Sequence, residues 1–222
     1  MGATMAIPTF NLDLAPPGKM RMPSIMGGGV EGGRTLSGVV NVADLTGGGL
    51  VSVRYSDIGL GNLDPAAQRY WSQLAGILNS RVRSIIVPLM TDFICPGSFT
   101  AVLGAAASVN ASTLSVAVSG LHPTDDLLAG GEWFGIRGPN LSFRAHVVTD
   151  IDTAQNNGDG TAGFTVGISP PLRESYGAGT PLNFIRPRCL MRLAPGAQIT
   201  SDVEPGWWTT PEVEFVESFG TT

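Results

Sequence analysis

The chain has 222 residues, 30 of them glycine and 16 proline; 43 % are apolar and 14 % charged, against about 25 % charged in an ordinary soluble domain. This composition can bury a core but excludes a coiled coil or long helical bundle, which needs Ala, Glu, Lys and Leu in a sustained helical period. A net charge of −5 argues against binding nucleic acid by phosphate neutralisation, and two cysteines are too few for a disulfide scaffold.

In chain order, Met1–Pro8 reads as an arm. It lacks the cationic start and apolar core of a signal peptide, and no apolar run is long enough to span a bilayer. Phe10, Leu12 and Leu14 alternate with Asn11 and Asp13, which predicts an edge strand stopped by Pro16-Pro17-Gly18. Met20–Gly33 reads as a loop with Met20, Met22, Met26 and a Gly27–Gly29 run. Methionine adapts to irregular apolar surfaces, so this loop suits a partner; plain flexibility is the alternative. Thr35–Val42 and Leu50–Ser56 flank the Gly47–Gly49 turn and together predict a hairpin, with Val51, Val53 and Tyr55 on its buried face.

One helix is predicted over 65–79. Asp64 is a suitable N-cap and Pro65 takes the first helical position. Ala67, Tyr70, Trp71, Leu74, Ile77 and Leu78 form its apolar stripe; Arg81 and Arg83 follow its negative end. Ile85–Val87 is a buried strand ended by Pro88. Phe93–Ser98, around Cys95-Pro96-Gly97, predicts a boundary between an N-terminal α+β unit, 1–95, and an all-β domain, 96–222. Eight short strands are expected in the second part: Phe99–Leu103, Leu114–Val118, Trp133–Ile136, Phe143–Val148, Phe164–Ile168, Asn183–Ile185, Leu190–Leu193 and Val213–Val216. Asn156–Gly160 is a strong turn signal, and the whole predicts a small β-barrel or β-sandwich. The fold class is therefore mainly β with one long helix, an α+β architecture. Charge divides unevenly, +1 over 1–95 and −6 over 96–222, which bears on partners rather than fold.

Few residues suggest chemistry. Gly59-Leu60-Gly61 follows a strand and opens a helix as a dinucleotide fingerprint does, but Asp64 occupies the third glycine position and would repel phosphate. Asp150, Asp152, Asn156, Asn157 and Asp159 carry oxygens suited to calcium, without the spacing or the closing glutamate of a calcium loop; a hairpin turn accounts for them. His122 and His146 have no second ligand at zinc spacing, and neither forms a nucleophile signature with Cys95 or Cys189. The two cysteines read as buried thiols, or as a single disulfide if geometry allows. Trp133, Trp207 and Trp208 would suit a sugar-stacking platform, but aromatics on strands, like Trp71 on the helix, more commonly fill cores. No catalytic, cofactor-binding or metal-binding residue is assigned, and an enzyme is not expected.

Two stretches carry a family likeness. Arg54–Leu89 contains a strand and then "AAQRYWSQLAGILNSRVRSIIVPL"; Ser108–Leu193 runs through "LLAGGEWFGI", "FRAHVVTDI", an Asn/Gly turn, "GFTVGISPPLRESYGAGTPL" and "PRCLMRLA". With the late "WWTTPEVEFVESF", this order resembles the distal tail and baseplate proteins of long-tailed bacteriophages and gene-transfer particles. Gly131-Glu132 stands where that family commonly has Gly-Asp. The resemblance implies a virion structural protein made in the bacterial cytoplasm. Residues 1–95 would form a belt in a closed, usually hexameric ring between tail tube and tail-tip hub. Residues 96–222 would project outward. Arg54, Arg81, Arg83 and the helix 65–79 would carry the belt. DNA passes through such a ring, so no cofactor, specific nucleic-acid binding or membrane contact is expected. The other readings are a head–tail connector, a capsid decoration, or a β-domain that binds host glycans through an exposed aromatic such as Trp207.

Overall fold

The computed structural model describes residues 7–27, 29–34, 40–44, 48–59, 65–79, 83–89, 99–120, 128, 130–138, 143–157, 159–200, 203–204, 207–208 and 211–219. In chain order the elements are β1 (Pro17–Met26), β2 (Gly29–Arg34), β3 (Val40–Asp44), β4 (Leu50–Ile58), α1 (Pro65–Leu78), β5 (Ile85–Pro88), β6 (Thr100–Leu103), β7 (Thr113–Ser119), β8 (Trp133–Arg137), β9 (Phe143–Asn156), β10 (Thr161–Ser169), β11 (Pro181–Asn183), β12 (Arg188–Leu193), β13 (Val203–Glu204), β14 (Trp207–Trp208) and β15 (Val213–Glu217). The mainly β class with one helix is therefore observed.

The chain forms two compact units. One comprises residues 1–24, 52–91 and 190–222, the other 25–51 and 92–189. The chain crosses between the units at 24/25, 51/52, 91/92 and 189/190, and the division expected at 95/96 lies near the third of these. The reason is non-local pairing. In the five-stranded sheet β1-β4-β15-β12-β5, β15 lies between β4 and β12, with Phe215 opposite Val53 and Leu193. The two last expected strands therefore belong with the helix and not with the other β-strands.

In the first unit, α1 buries Ala67, Trp71, Leu74 and Leu78 of the predicted stripe, while Tyr70 and Ile77 at its margins are half-buried. Asn79 follows the helix and clamps the segment before the last strands: Ile199 N–H donates to its Oδ1 at 2.9 Å, and its Nδ2 donates to the Ile199 carbonyl at 3.1 Å. Phe10, Tyr55 and Phe215 form an aromatic cluster with ring centroids 5.3, 5.7 and 6.2 Å apart. Tyr55 donates its buried hydroxyl to the Pro88 carbonyl, and burial pushes the pKa of that hydroxyl far up.

Three local expectations are corrected here. Residues 12–14 form a turn, not a strand, because Asn11 accepts hydrogen bonds from Asp13 N–H at 2.9 Å and Ala15 N–H at 3.1 Å. The Pro16-Pro17-Gly18 run precedes and opens a strand rather than ending one, and β1 lies where a loop was expected. The β4 strand pairs with β15 and neighbours β1, while β3 pairs with β2, so β3 and β4 do not form the expected hairpin. Thr35 and the rest of 35–39 lie outside the described residues, as do Gly47 and Asp64.

In the second unit, β6, β7, β10, β9, β8 and β11 close into an antiparallel barrel. Strict alternation decides which side chains enter it: Leu114, Val116 and Val118 from β7 face Phe164, Val166 and Ile168 from β10 in the common core. With Leu103, Phe134, Ile136, Leu172 and Phe184 they fill the interior, as six strands enclose too little space for a channel. Register shifts between Thr165 and Val166 and between Gly167 and Ile168 bend the β9–β10 pair, which helps the sheet to close.

Candidate functional surfaces

The two edges of the five-stranded sheet differ. At β5 all four residues are buried and the edge is covered: Phe10 N–H donates to the Ile86 carbonyl at 2.8 Å, and Ile86 N–H to the Pro8 carbonyl at 2.9 Å. At β1 no further strand is paired among the described residues. This edge is ten residues long and exposes Met22 (61 %) and Met26 (42 %). A long edge offers unpaired backbone donors and acceptors to a neighbouring chain. Pro23 within it is the kind of residue that only an edge strand tolerates. Lys19 is held by Asp57 at 2.8 Å, and this hydrogen bond and charge raise its pKa. The sequence signal for β1 was present in the alternation of Met20 and Met22 with Lys19 and Arg21, but the prolines and glycines around it masked the strand.

Of the belt residues, Arg54 projects from β4 and grips both carboxylate oxygens of Glu212 at 2.7 and 2.6 Å. The hydrogen bond first, then the charge of Glu212, raises its pKa. Arg83 is exposed, and Arg81 lies outside the described residues. The outer face of α1 is polar, with Gln68, Arg69, Ser72 and Gln73 exposed.

Two polar residues enter the barrel interior. The 144, 146, 148 series of β9 shares a face with Phe134 and Ile136 of β8, since Phe134 pairs with His146 and Ile136 with Arg144. His146 stacks on Phe134 at 5.6 Å and its Nδ1 lies 2.7 Å from the Pro170 carbonyl. Its Nε2 is buried without a hydrogen-bond partner among the described residues. Burial lowers its pKa to about 4; the Pro170 bond opposes this, and the charges of Arg173 and Arg144 add to it. The imidazole is thus neutral at physiological pH, with Nδ1 as the donor. Arg144 is buried beside Glu174, 3.7 Å away, and Arg173 donates to the Gly49 carbonyl. This cluster ties the β10–β11 loop to the barrel wall. Nothing local in the sequence shows which face of β9 enters the core, so His146 offers itself there as a metal ligand or a cysteine's partner and not as a core residue.

The remaining candidates separate. Asp159 accepts from Thr161 N–H at 2.9 Å and from its hydroxyl at 2.6 Å, and these bonds lower its pKa; Asn157 N–H donates to the Thr161 carbonyl at 3.0 Å. They shape the β9–β10 turn, as the hairpin reading expected. Asp150 Oδ1 accepts from Ile151 N–H, and Asp152 is exposed. Among the described residues no three His, Cys, Asp or Glu side chains converge as a metal site would require. Cys189, Trp71 and Trp133 are buried core residues. Cys95, His122, Leu60-Gly61 and the side chains of Asn156, Trp207 and Trp208 lie outside the described residues. No helix among the described residues is long and apolar enough to cross a membrane.

No protein-family model matches the chain, and no curated protein matches it.

Proposed function

We propose that the chain is a structural protein of the virion, a distal-tail or baseplate subunit that forms a closed ring, most simply of six copies, linking the tail tube to the tail-tip hub around the DNA channel. The observation that carries this reading is the β1 edge. A ten-residue strand with two exposed methionines is a heterologous contact waiting for a complementary surface on the next copy, and repeated heterologous contacts close into rings. The order of sequence motifs supports the same assignment, and the net charge of −5 suits a channel through which DNA slides without adhering. The role asks for no catalytic group, cofactor or membrane contact.

The test is the mass and shape of the purified full chain and of its form in assembled particles. Light scattering and electron microscopy should show closed rings, and Met22→Glu should shift the protein toward monomers while its circular dichroism stays unchanged. A strictly monomeric species both in concentrated solution and in the particle would end the proposal.

A further inference from the structure

The barrel carries a second feature that the ring role does not use. On its outer face the β8, β9 and β11 strands bring together a cleft of about 650 Å³, within the size range of small-ligand sites. Its floor is Gly135. Backbone pairing sets Gly135 opposite Asn183 on one side and Ala145 on the other, so the floor has no side chain of its own from β8. A Cβ at Gly135 would meet the Arg188 nitrogen at 2.9 Å and its carbonyl oxygen at 3.2 Å. Glycine here lets residues 187–188 lie flat against the strand and brings Arg188 to the cleft. Two residues further along the same face of β8 stands Arg137, paired across to Phe143, with its guanidinium 5.7 Å from the ring centroid. That cation–π contact holds the guanidinium in place.

The chemistry of the lining is one-sided. Arg137 and Arg188 are both exposed, and among the described residues neither forms an ion pair and no Asp or Glu lines the cleft. In a chain of net charge −5 this is a local reversal of sign. Phe143, Ser175 and Asn183 line the same cleft; the Ser175 hydroxyl oxygen accepts from Val109 N–H at 3.1 Å and Asn183 Oδ1 from Arg186 N–H at 2.9 Å, so the hydroxyl hydrogen and the amide nitrogen remain as donors to a ligand. A guanidinium matches carboxylate and phosphate oxygens with paired hydrogen bonds. An apolar wall next to hydroxyl and amide groups matches a sugar ring, which has an apolar face and hydroxyls at its rim.

We infer that this cleft binds a saccharide bearing an oxyanion, a carboxylate or a phosphate, with Arg137 and Arg188 on the anionic group and Phe143 against the ring. The inference stands on the cleft alone and is independent of the ring assignment.

The experiment is a titration of the full-length protein, followed by calorimetry and by amide chemical shifts, with glucuronate, glucose 1-phosphate, glucose and inorganic phosphate. Concentrations up to about 10 mM suffice to reveal a millimolar site. Saturable binding of glucuronate or glucose 1-phosphate, with shifts centred on residues 135–137 and 183–188, is the expected result; which of the two binds identifies the anion. Arg137→Gln and Arg188→Gln should each weaken it about 10–100-fold, the effect of losing a charged hydrogen-bond donor. Arg69→Gln, on the outer face of α1 in the other unit, should bind as the parent does. Circular dichroism confirms folding of each variant. The inference is overturned if neither anionic sugar saturates, if glucose or inorganic phosphate binds as tightly as they do, or if the two arginine variants bind like the parent.

Discussion

Acid should weaken the barrel through a single side chain, His146. In the folded chain its pKa is lowered to about 4, chiefly by burial, whereas an unfolded chain titrates near the ordinary 6.5. Above that ordinary value the imidazole is neutral in both states and contributes no pH dependence. As pH falls below it, the unfolded chain takes up a proton that the folded chain refuses, so stability falls by about 1.4 kcal/mol per pH unit. The loss continues until the folded imidazole itself protonates near pH 4, and it amounts to about 3 kcal/mol over the window. Burial sets the sign; the Pro170 carbonyl opposes it by favouring the charged ring, and the nearby charges of Arg173 and Arg144 add to it by disfavouring a further positive charge.

The assay is urea unfolding of the parent and of His146→Asn at steps from about pH 8 to about pH 4. Asparagine keeps an N–H for the Pro170 carbonyl but does not titrate. It will be less stable at neutral pH because it leaves space against Phe134, so the informative quantity is the difference between the two curves. That difference should shrink by about 3 kcal/mol as the pH falls from neutrality to pH 4, while the carboxylates titrate alike in both proteins and cancel. The Asp159 carboxylate, held below its usual pKa by Thr161, loses its favourable contribution only below this window. Parallel curves would refute the reasoning and place a solvated imidazole at position 146.

Two further outcomes follow from the packing. Tyr55→Phe removes the hydroxyl that donates to the Pro88 carbonyl and should cost about 1–3 kcal/mol, measured by denaturant unfolding, with no change in the ring cluster of Phe10 and Phe215. Gly135→Ala should cost about 1–3 kcal/mol, because its methyl would press on the Arg188 backbone, and thermal melting should fall correspondingly. An unchanged melting temperature would mean that residues 187–188 do not lie against β8.

Where local chemistry dictates structure, the sequence was readable. The helix followed from Pro65 and the stripe through Trp71, Leu74 and Leu78, and it spans Pro65–Leu78. The alternation in 113–119 and 161–169 identified strands whose buried faces meet in the barrel. The Asn/Gly turn joined the strands it was expected to join. Reading failed at β1, whose prolines and glycines look like a loop until β4 offers a hydrogen-bonding partner, and at residues 12–14, where the Asn11 carboxamide and carbonyl competed successfully for the backbone.

The sequence by itself determined the helix and most strands after residue 40, because period, turn chemistry and capping act over a few residues, whereas β1, β2, β13 and β14 escaped it. Only the tertiary structure decided which strands meet. Val213–Glu217 has the same sequence whether it closes a barrel or, as here, enters the sheet of a helix more than a hundred residues earlier. The same holds for the polar residues. His146 and Arg144 enter the interior, and Arg137 and Arg188 converge outside it, through strand register and the missing side chain of Gly135. Register is a relation between distant segments, and no window along the chain contains it.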